Sequence, residues 1–279
     1  MKKLLMTAIV ISMAIFSCKK ETEIGATTVP PPTPKSYISK LTVNEIYNNK
    51  KTRDQEFNFS YDSKGSLESI AQTHIYYDLN TGAVSSKNQY TVFVAYNSEN
   101  LASEMKTLYK ISDGSESINI DRFVYDKDKV AEIRSFSVQN GIEKASSEIL
   151  IFNYNNKGQL TSTSMENIVR SSYNYTNDVH TSTNFFATSK AEVSYHETAL
   201  NPISNFLNAQ KIIVSKIIED PYLFGFGLVS KFYPKKTING NTTWDYEVST
   251  NNQNLPTKVL RSYFAYNVIQ TMNFEYKTF

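Results

Sequence analysis

A single cysteine, Cys18, carries the most specific chemistry in this chain of 279 residues. Two lysines and an apolar run over residues 4–16 precede it, an order of segments that is typical of a secretory signal. A lipobox places the thiol that receives a diacylglyceryl group at this point, so we predict a signal peptide at residues 1–17 and lipidation of Cys18. The run is too short to span a bilayer, since a transmembrane helix needs about 20 apolar residues. An incidental cysteine in a conventionally cleaved signal is the alternative.

Histidines and carboxylates offer a second kind of chemistry. His180 and His196, with Glu192 and Glu197 near them in sequence, are the candidate metal ligands, because imidazole and carboxylate groups together bind zinc. Their spacing fits no recognised metal motif, and scattered surface residues are the simpler interpretation. His74 has no partner near it in sequence. We therefore predict no metal and no cofactor.

No catalytic motif stands out in the sequence. It contains no Gly-x-Ser-x-Gly elbow and no glycine-rich phosphate loop, and its 3 histidines leave a serine triad few possible bases. A pair of carboxylates of the kind that glycoside hydrolases use could come from any of the 27 acidic residues. We expect a protein without catalysis, and a secreted, glycan-acting hydrolase with an unrecognised carboxylate pair is the alternative.

Aromatic residues offer a site for a planar ligand. Trp244 and Tyr246 lie in one alternating segment, and exposed aromatic rings stack on sugars and other flat groups. We name both as candidates for binding a glycan or a peptide. Core packing is the alternative, and it is the preferred interpretation for tyrosines that recur at equivalent positions.

The charge of the chain argues against nucleic acid as a partner. Lys and Arg total 29 against 27 Asp and Glu, which gives a net charge of +2. Cleavage before Cys18 removes two lysines and leaves a net charge of about zero. Basic and acidic residues are interspersed without the basic stripe that phosphate binding requires. The predicted partners are a lipid bilayer, through acylated Cys18, and a glycan or peptide ligand.

The elements that position these residues are set by a repeated hairpin. Its first copy runs from Phe57 to Ile70. Alternating aromatic residues predict a strand, Asp62 and Gly65 predict a turn, and Leu67 begins the returning strand. One unit is therefore a strand, a turn and a strand.

Imperfect copies of this hairpin return four times. Asn97 and Asn100 take the turn positions in the next copy, and Asn is the non-glycine residue that best tolerates a positive φ. Lys129 occupies the glycine position of the third copy, which predicts a different turn type; Asn155 and Gly158 restore the pattern, and a degenerate copy lies at 171–179. Tyrosines that flank the turns are predicted to pack in the core: Tyr61, Tyr96, Tyr125, Tyr154 and Tyr175.

The irregular spacing of these copies favours a meander over a stacked solenoid. We predict a mainly β protein, an antiparallel meander of repeated hairpins curled into an open or closed barrel-like sheet. A lipidated cysteine and proline-rich linker at 18–36 precede a single β domain at 37–279. Asn201 and Pro202 favour one short helix near 202–215, beginning at 202, although the β-branched residues at 212–218 argue for a strand. Three further strands are expected from Trp244 onward.

The hairpin copies resemble the tyrosine-aspartate repeats of Rhs-type proteins, whose pattern is Tyr-Asp-x-x-Gly-x-Leu. With the segment from Tyr195 through Asn201-Pro202, and with Ser230-Lys-Phe-Tyr-Pro234, they also look like an uncharacterised family of Bacteroidota lipoproteins that has a porin-like β-fold. The resemblance covers most of 37–279. It implies a fold and an envelope location, and no catalytic residue.

These observations together predict a membrane-anchored envelope lipoprotein that binds a ligand or serves as a structural module. Its expected location is the outer membrane, lipid-anchored on the periplasmic or the cell-surface face. A barrel that itself spans the outer membrane is a third hypothesis. Phe279 at the end of the sequence favours it, and Lys277 argues against it because that terminal position is apolar in such barrels.

Overall fold

The computed structural model describes residues 35–186, 189–203, 205–206, 208–218 and 228–279. The predicted signal peptide, Cys18 and the linker as far as residue 34 lie outside these residues. Within the described part, no helix is both long and apolar enough to cross a bilayer.

Sixteen antiparallel strands form one closed sheet, in which each strand pairs with the next along the chain and the last pairs with the first. The predicted antiparallel meander is confirmed, and its edges close into a barrel. The strands are β1 (Ser36–Tyr47), β2 (Lys50–Tyr61), β3 (Leu67–Tyr77), β4 (Val84–Tyr96), β5 (Ala102–Lys110), β6 (Glu116–Asp126), β7 (Lys129–Gln139), β8 (Ile142–Tyr154), β9 (Leu160–Met165), β10 (Ile168–Thr176), β11 (Val179–Phe185), β12 (Ser189–Leu200), β13 (Phe232–Asn239), β14 (Thr242–Thr250), β15 (Pro256–Tyr263) and β16 (Val268–Thr278).

The two ends of the barrel carry different connections. At one end, which we call the hairpin rim, every odd-numbered strand turns into the next even-numbered strand. At the opposite end, which we call the tyrosine end, even-numbered strands lead to the next odd-numbered strand. Strand β1 begins and β16 ends at the tyrosine end, where Ser36 pairs with Thr278.

The turns at the tyrosine end are held by side chains, as the repeat predicts. Asp62 accepts hydrogen bonds at Oδ1 from the backbone N–H groups of Lys64 and Ser66, each at 2.8 Å. Asn97, Asn155 and Asn251 accept two such bonds each in the equivalent turns. Gly65 and Asn100 have φ of +83° and +60°, which is the left-handed conformation expected of them.

Six tyrosines form a girdle just inside the tyrosine end. Each hydroxyl donates a hydrogen bond to a backbone carbonyl near the start of the neighbouring odd-numbered strand; the Oη of Tyr125, for example, lies 2.6 Å from the carbonyl oxygen of Ala102. The predicted packing is confirmed for Tyr61, Tyr96, Tyr125 and Tyr154, which belong to the apolar core or contact it. The tyrosine girdle consists of Tyr61, Tyr96, Tyr125, Tyr154, Tyr175 and Tyr276.

The helix, α1 (Asn208–Ile218), lies within the barrel and belongs to its apolar core. Its residues Ile213 and Val214 are fully buried together with inward-facing strand residues. The predicted start at 202 was wrong, since α1 begins six residues later. Asn201 does cap locally, because its Oδ1 accepts the N–H of Ile203 at 3.1 Å, but that bond closes a turn ahead of the helix.

The outward face of the barrel is polar and charged. Ion pairs join neighbouring strands there: Lys40 with Glu56 at 3.0 Å, Arg122 with Glu104 at 3.0 Å, and Lys236 with Asp245 at 3.7 Å. A barrel that spans a membrane instead shows lipids an apolar band about 25 Å tall, where a charged residue costs about 2–4 kcal/mol. Most large apolar residues of the described part instead face inward and form the core.

Candidate functional site in the barrel lumen

The interior of the barrel changes character along its axis. Inward-facing residues on β2 run from Phe59 and Phe57 near the tyrosine end to Gln55 and Arg53 towards the hairpin rim. Strand β16 repeats the change from apolar Phe274 and Met272 to buried Gln270. The half of the lumen near the tyrosine end is therefore an apolar core around α1, and the half near the rim is polar.

A cavity of about 470 Å³ lies where the two halves of the lumen meet. Such a volume falls within the ~300–1,000 Å³ range of small-molecule sites. Its lining combines aromatic rings, hydroxyls and amides with one carboxylate and one ammonium group; the residues that matter most are Gln72, His74, Tyr90, Thr107, Asp121 and Lys216. We call this space the lumen cavity.

An ion pair between the helix and the sheet lies in the lining of the lumen cavity. Lys216 in the last turn of α1 places its Nζ 2.6 Å from Oδ2 of Asp121 on β6, and Ser135 on β7 donates to Oδ1 of the same carboxylate at 2.5 Å. Asp121 is buried, so it depends on these partners for the hydrogen bonds that water would supply. This arrangement fixes the C-terminal end of α1 against the sheet.

His74 contributes a neutral imidazole to the same cavity. Its ring lies 3.4 Å from the side-chain nitrogen of Gln55 and 4.8 Å, between ring centroids, from Tyr90. Burial, with a smaller contribution from the charge of Arg53, lowers the pKa of His74 to about 4. At neutral pH the ring is therefore uncharged and is able to donate one hydrogen bond and to accept one. His74 lies on β3, and the sequence showed no partner for it because Gln55 is 19 residues away.

Trp244 and Tyr246 face the lumen and lie among buried groups. The guanidinium carbon of Arg261 lies 3.8 Å from the centroid of the Trp244 ring, and Tyr263 covers the ring at 4.8 Å. Tyr246 is buried, with 3% of its surface exposed. These two candidates do not form an exposed platform. Trp244 belongs to a stacked group with Arg261, while Tyr246 packs in the core.

A polar network continues from Arg261 around the rim half of the lumen. Arg261 donates to Gln270 at 3.0 Å, Gln270 donates to Glu45 at 2.6 Å, and Arg53 donates to Glu45 at 2.8 Å. Each buried charge in this chain of contacts has a partner of the opposite sign or an amide. The network therefore keeps ordered polar groups on the lumen wall near β1, β2, β15 and β16.

The structure separates the two histidines that were named as candidate metal ligands. His180 is buried at the tyrosine end, with Nδ1 2.6 Å from the Tyr195 hydroxyl and Nε2 2.9 Å from Thr183 Oγ1. His196 on β12 approaches the backbone carbonyl of Tyr246 at 3.1 Å. Among the residues described, no three His, Cys, Asp or Glu side chains are grouped as a metal ion requires. His180 and His196 make protein contacts instead.

A second cavity of about 430 Å³ lies at the tyrosine end beside α1. Lys211 on the helix projects among Phe152, Tyr154 and Tyr175. Burial lowers the pKa of Lys211. In the described part of the chain, the ion pairs do not include Lys211. Lys211 was not singled out from the sequence, because a lysine in a short predicted helix resembles an ordinary surface residue.

No protein-family model matches the chain, and no curated protein matches it. Among solved structures, a porin-like protein from Bacteroides uniformis ATCC 8492 is similar at a TM-score of 0.53, with 11% sequence identity over 86% of this chain and 98% of that protein. A porin-like protein from Bacteroides vulgatus ATCC 8482 matches at a TM-score of 0.31 and 9% identity, over 87% of this chain and 99% of that protein.

The first likeness shows the fold alone. It confirms the porin-like β-fold that the sequence resemblance implied. The lipoprotein assignment and the relation to Rhs-type repeats stay predictions.

Proposed function

We propose that this chain is an outer-membrane lipoprotein whose barrel binds a small polar ligand of saccharide chemistry in the lumen cavity. The observation that carries the proposal is the lining of that cavity. Tyr90 and Tyr109 supply aromatic surface, while Gln72, Thr107 and Asn119 supply neutral hydrogen-bonding groups. Sugars are recognised by this combination of ring faces and fixed polar groups.

The proposal includes an acyl anchor on Cys18. The cysteine directly follows the apolar run at residues 4–16, and the polar outward face supports a barrel surrounded by water. Lipidation would hold such a barrel at a membrane surface without embedding it.

The saccharide site is tested with the full chain and a panel of oligosaccharides two to three rings long. We expect Asn119→Ala to weaken binding of the best oligosaccharide about two- to tenfold, because a neutral hydrogen bond contributes about 0.5–1.5 kcal/mol. Asn58→Ala is the matched control, since Asn58 is exposed on the outward face, where it donates to Glu56, and its loss should leave the affinity unchanged. Equal affinities for all three proteins, or no bound oligosaccharide, would contradict the proposal, and circular dichroism checks that each variant is folded.

The anchor is tested separately in cells. Cys18→Ala should abolish incorporation of a clickable fatty acid and release the protein from the membrane fraction. Incorporation that persists in the variant would contradict the anchor and leave the saccharide site untouched. Protease treatment of intact cells then distinguishes the surface from the periplasmic face.

A glycoside hydrolase requires two carboxyl groups. The described residues that line the lumen cavity include only one. That carboxylate, of Asp121, is already paired with Lys216. Glycosidases hold two carboxyl groups about 5–9.5 Å apart across the bond they cleave. Release of reducing ends from any bound oligosaccharide would favour the hydrolase over the binding protein.

A further inference from the structure

Large apolar side chains that remain exposed are concentrated at one end of the barrel. Thirteen such residues occur in the described part, and all but Phe93 and Val179 lie at the hairpin rim. At the tyrosine end, by contrast, aromatic and aliphatic residues are folded inward. The end at which odd-numbered strands turn into even-numbered strands is therefore the end that exposes apolar side chains.

Every hairpin of the rim contributes to this exposure. The first four hairpins carry Ile46, Leu79, Ile111 and Ile142. The remaining four carry Ile168, Phe186, Ile238 and Ile269. We call this set the apolar rim. Because the hairpins follow one another around a closed barrel, the set forms a ring rather than a patch on one side.

The apolar rim has the dimensions of an interaction surface. A barrel of sixteen strands spaced about 4.8 Å apart and tilted about 40° is on the order of 30 Å wide. The eight apolar side chains are distributed around this width with exposed polar turn residues between them, so the rim is a ring of separate apolar contacts. The mid-barrel surface above the ring carries the cross-strand ion pairs already described, so the apolar character is confined to the rim.

We propose that the apolar rim is a membrane-contact surface that inserts shallowly into the interfacial region of a lipid bilayer. A flat bilayer receives eight separate hairpin tips at once, whereas a protein partner would need a matching ring of the same width. Interfacial proteins bury their apolar side chains about 5–10 Å deep, which is about two or three residues of a strand.

Two ion pairs lie at the rim. Lys110 lies 3.5 Å from Glu116, and Lys190 lies 2.8 Å from Glu192. These pairs carry no net charge, so zwitterionic phosphatidylcholine is used as the probe.

The number of residues between the proposed anchor at Cys18 and the barrel is compatible with contact at the rim. Sixteen residues, 19–34, separate Cys18 from the first described residue, and a chain of that length reaches at most about 50–60 Å. Strands of 11–13 residues, rising about 3.3 Å per residue and tilted about 40°, give a barrel about 30 Å tall. The anchor and the rim therefore need not exclude one another.

A matched pair of valines tests the proposal. Val169 on β10 at the rim and Val179 on β11 at the tyrosine end each expose 48% of their surface. Each is replaced by cysteine in the full chain carrying Cys18→Ala, so that the chain has one thiol, and is labelled with an environment-sensitive fluorophore. With phosphatidylcholine vesicles, we expect a blue shift and quenching by brominated lipid for the label at 169 and neither for the label at 179.

The result distinguishes the rim from other causes of vesicle binding. Binding through residues 4–16 affects both labelled proteins alike, so equal responses at 169 and 179, or none, would overturn the proposal. A blue shift at 169 that appears without vesicles and rises with protein concentration would identify a second copy as the occupant and would also overturn it. Lipidation plays no part in this experiment, because Cys18 is absent.

Substitution of rim residues provides an independent test. In the chain labelled at 169, Ile142→Ser with Ile238→Ser should raise the lipid concentration at half-maximal response about tenfold, because two large apolar side chains no longer leave water on insertion. Phe93→Ser, at an exposed residue away from the rim, is the control and should leave that concentration unchanged. An equal effect of both changes would contradict a role for the rim.

Discussion

The two ends of the barrel differ in where their large side chains lie. At the tyrosine end, polar side chains bond to the turns and six hydroxyls bond to strand carbonyls, so the rings face the core. At the hairpin rim, each hairpin exposes a large apolar side chain. The interior follows the same axis, from the core around α1 to the polar lumen cavity. One end is thus built for stability, and the other leaves polar and apolar groups free for contacts.

The largest expected difference between the ends concerns isoleucine. Ile213 on α1 is fully buried, so Ile213→Ala should lower the free energy of unfolding by about 2–5 kcal/mol through lost burial and a residual cavity. The same change at Ile142, which exposes 65% of its surface, should cost less than about 0.5 kcal/mol. Urea denaturation of both variants measures the contrast. Similar losses would show that α1 is not part of the core.

The next contrast is between the two buried histidines. Burial lowers the pKa of both His74 and His180 to about 4, whereas histidine in an unfolded chain titrates near 6.5. Below pH 6.5 these histidines bind protons in the unfolded state, while in the folded state they stay neutral down to about pH 4. The stabilisation is therefore complete above about pH 6.5 and is lost as the pH falls towards 4.

We expect each histidine to account for about 1–3 kcal/mol of this loss. His180→Gln should reduce the slope of stability against pH more than His74→Gln, because His74 lies on the lumen cavity, where water screens its charge. Urea titrations at pH 7, 5.5 and 4.5 measure the slopes. Slopes equal to that of the unmodified protein would contradict the neutral, buried state of both rings.

A smaller effect is expected from one girdle hydroxyl. Tyr125→Phe removes the hydrogen bond to the carbonyl of Ala102 and should lower the free energy of unfolding by about 1–2 kcal/mol, because the carbonyl loses its partner. Tyr266→Phe at the rim, where the side chain exposes 59% of its surface, should have almost no effect. Thermal unfolding followed by circular dichroism compares them. Indistinguishable melting temperatures would mean that the girdle bonds contribute no net stability.

The smallest expected difference concerns two turn glycines. Both Gly65 and Gly141 have positive φ, so alanine is strained at either position by roughly 1 kcal/mol. A Cβ at Gly65 would also lie 3.3 Å from the Tyr37 ring, while none of the described atoms lies within 4 Å of a Cβ at Gly141. Gly65→Ala should therefore be the more destabilising of the two by up to about 1 kcal/mol. The reverse order in urea denaturation would rule out the crowding at Gly65.

The local features of the fold were predictable because they depend on neighbours in sequence. The turn positions of Asp62, Asn97 and Asn155 follow from side chains that bond to backbone groups two to four residues ahead. The alternation of the aromatic strands likewise indicated a buried face. Closure of the barrel was not predictable, because the pairing of β1 with β16 joins residues more than 200 positions apart.

The site was harder to predict than the fold. Asp121 and Lys216 are 95 residues apart, and in sequence each resembles an ordinary surface charge. A usable signal was present on β2, where Gln55 and Arg53 continue the two-residue phase of Phe57 and Phe59. Every second residue of a strand faces the same side. Following this alternation from the buried phenylalanines to the polar residues before them would have placed Gln55 and Arg53 inside the barrel.

The pairing of β1 with β16 has a consequence for how the protein is made. Strand β1 has one unpaired edge until β16 has been synthesised, because β16 is its partner on that side. Such a distant contact is slow to form, and an open edge invites pairing with other chains. A chain that stops before β16 would therefore present two unpaired strand edges, at which aggregation with other chains is favoured.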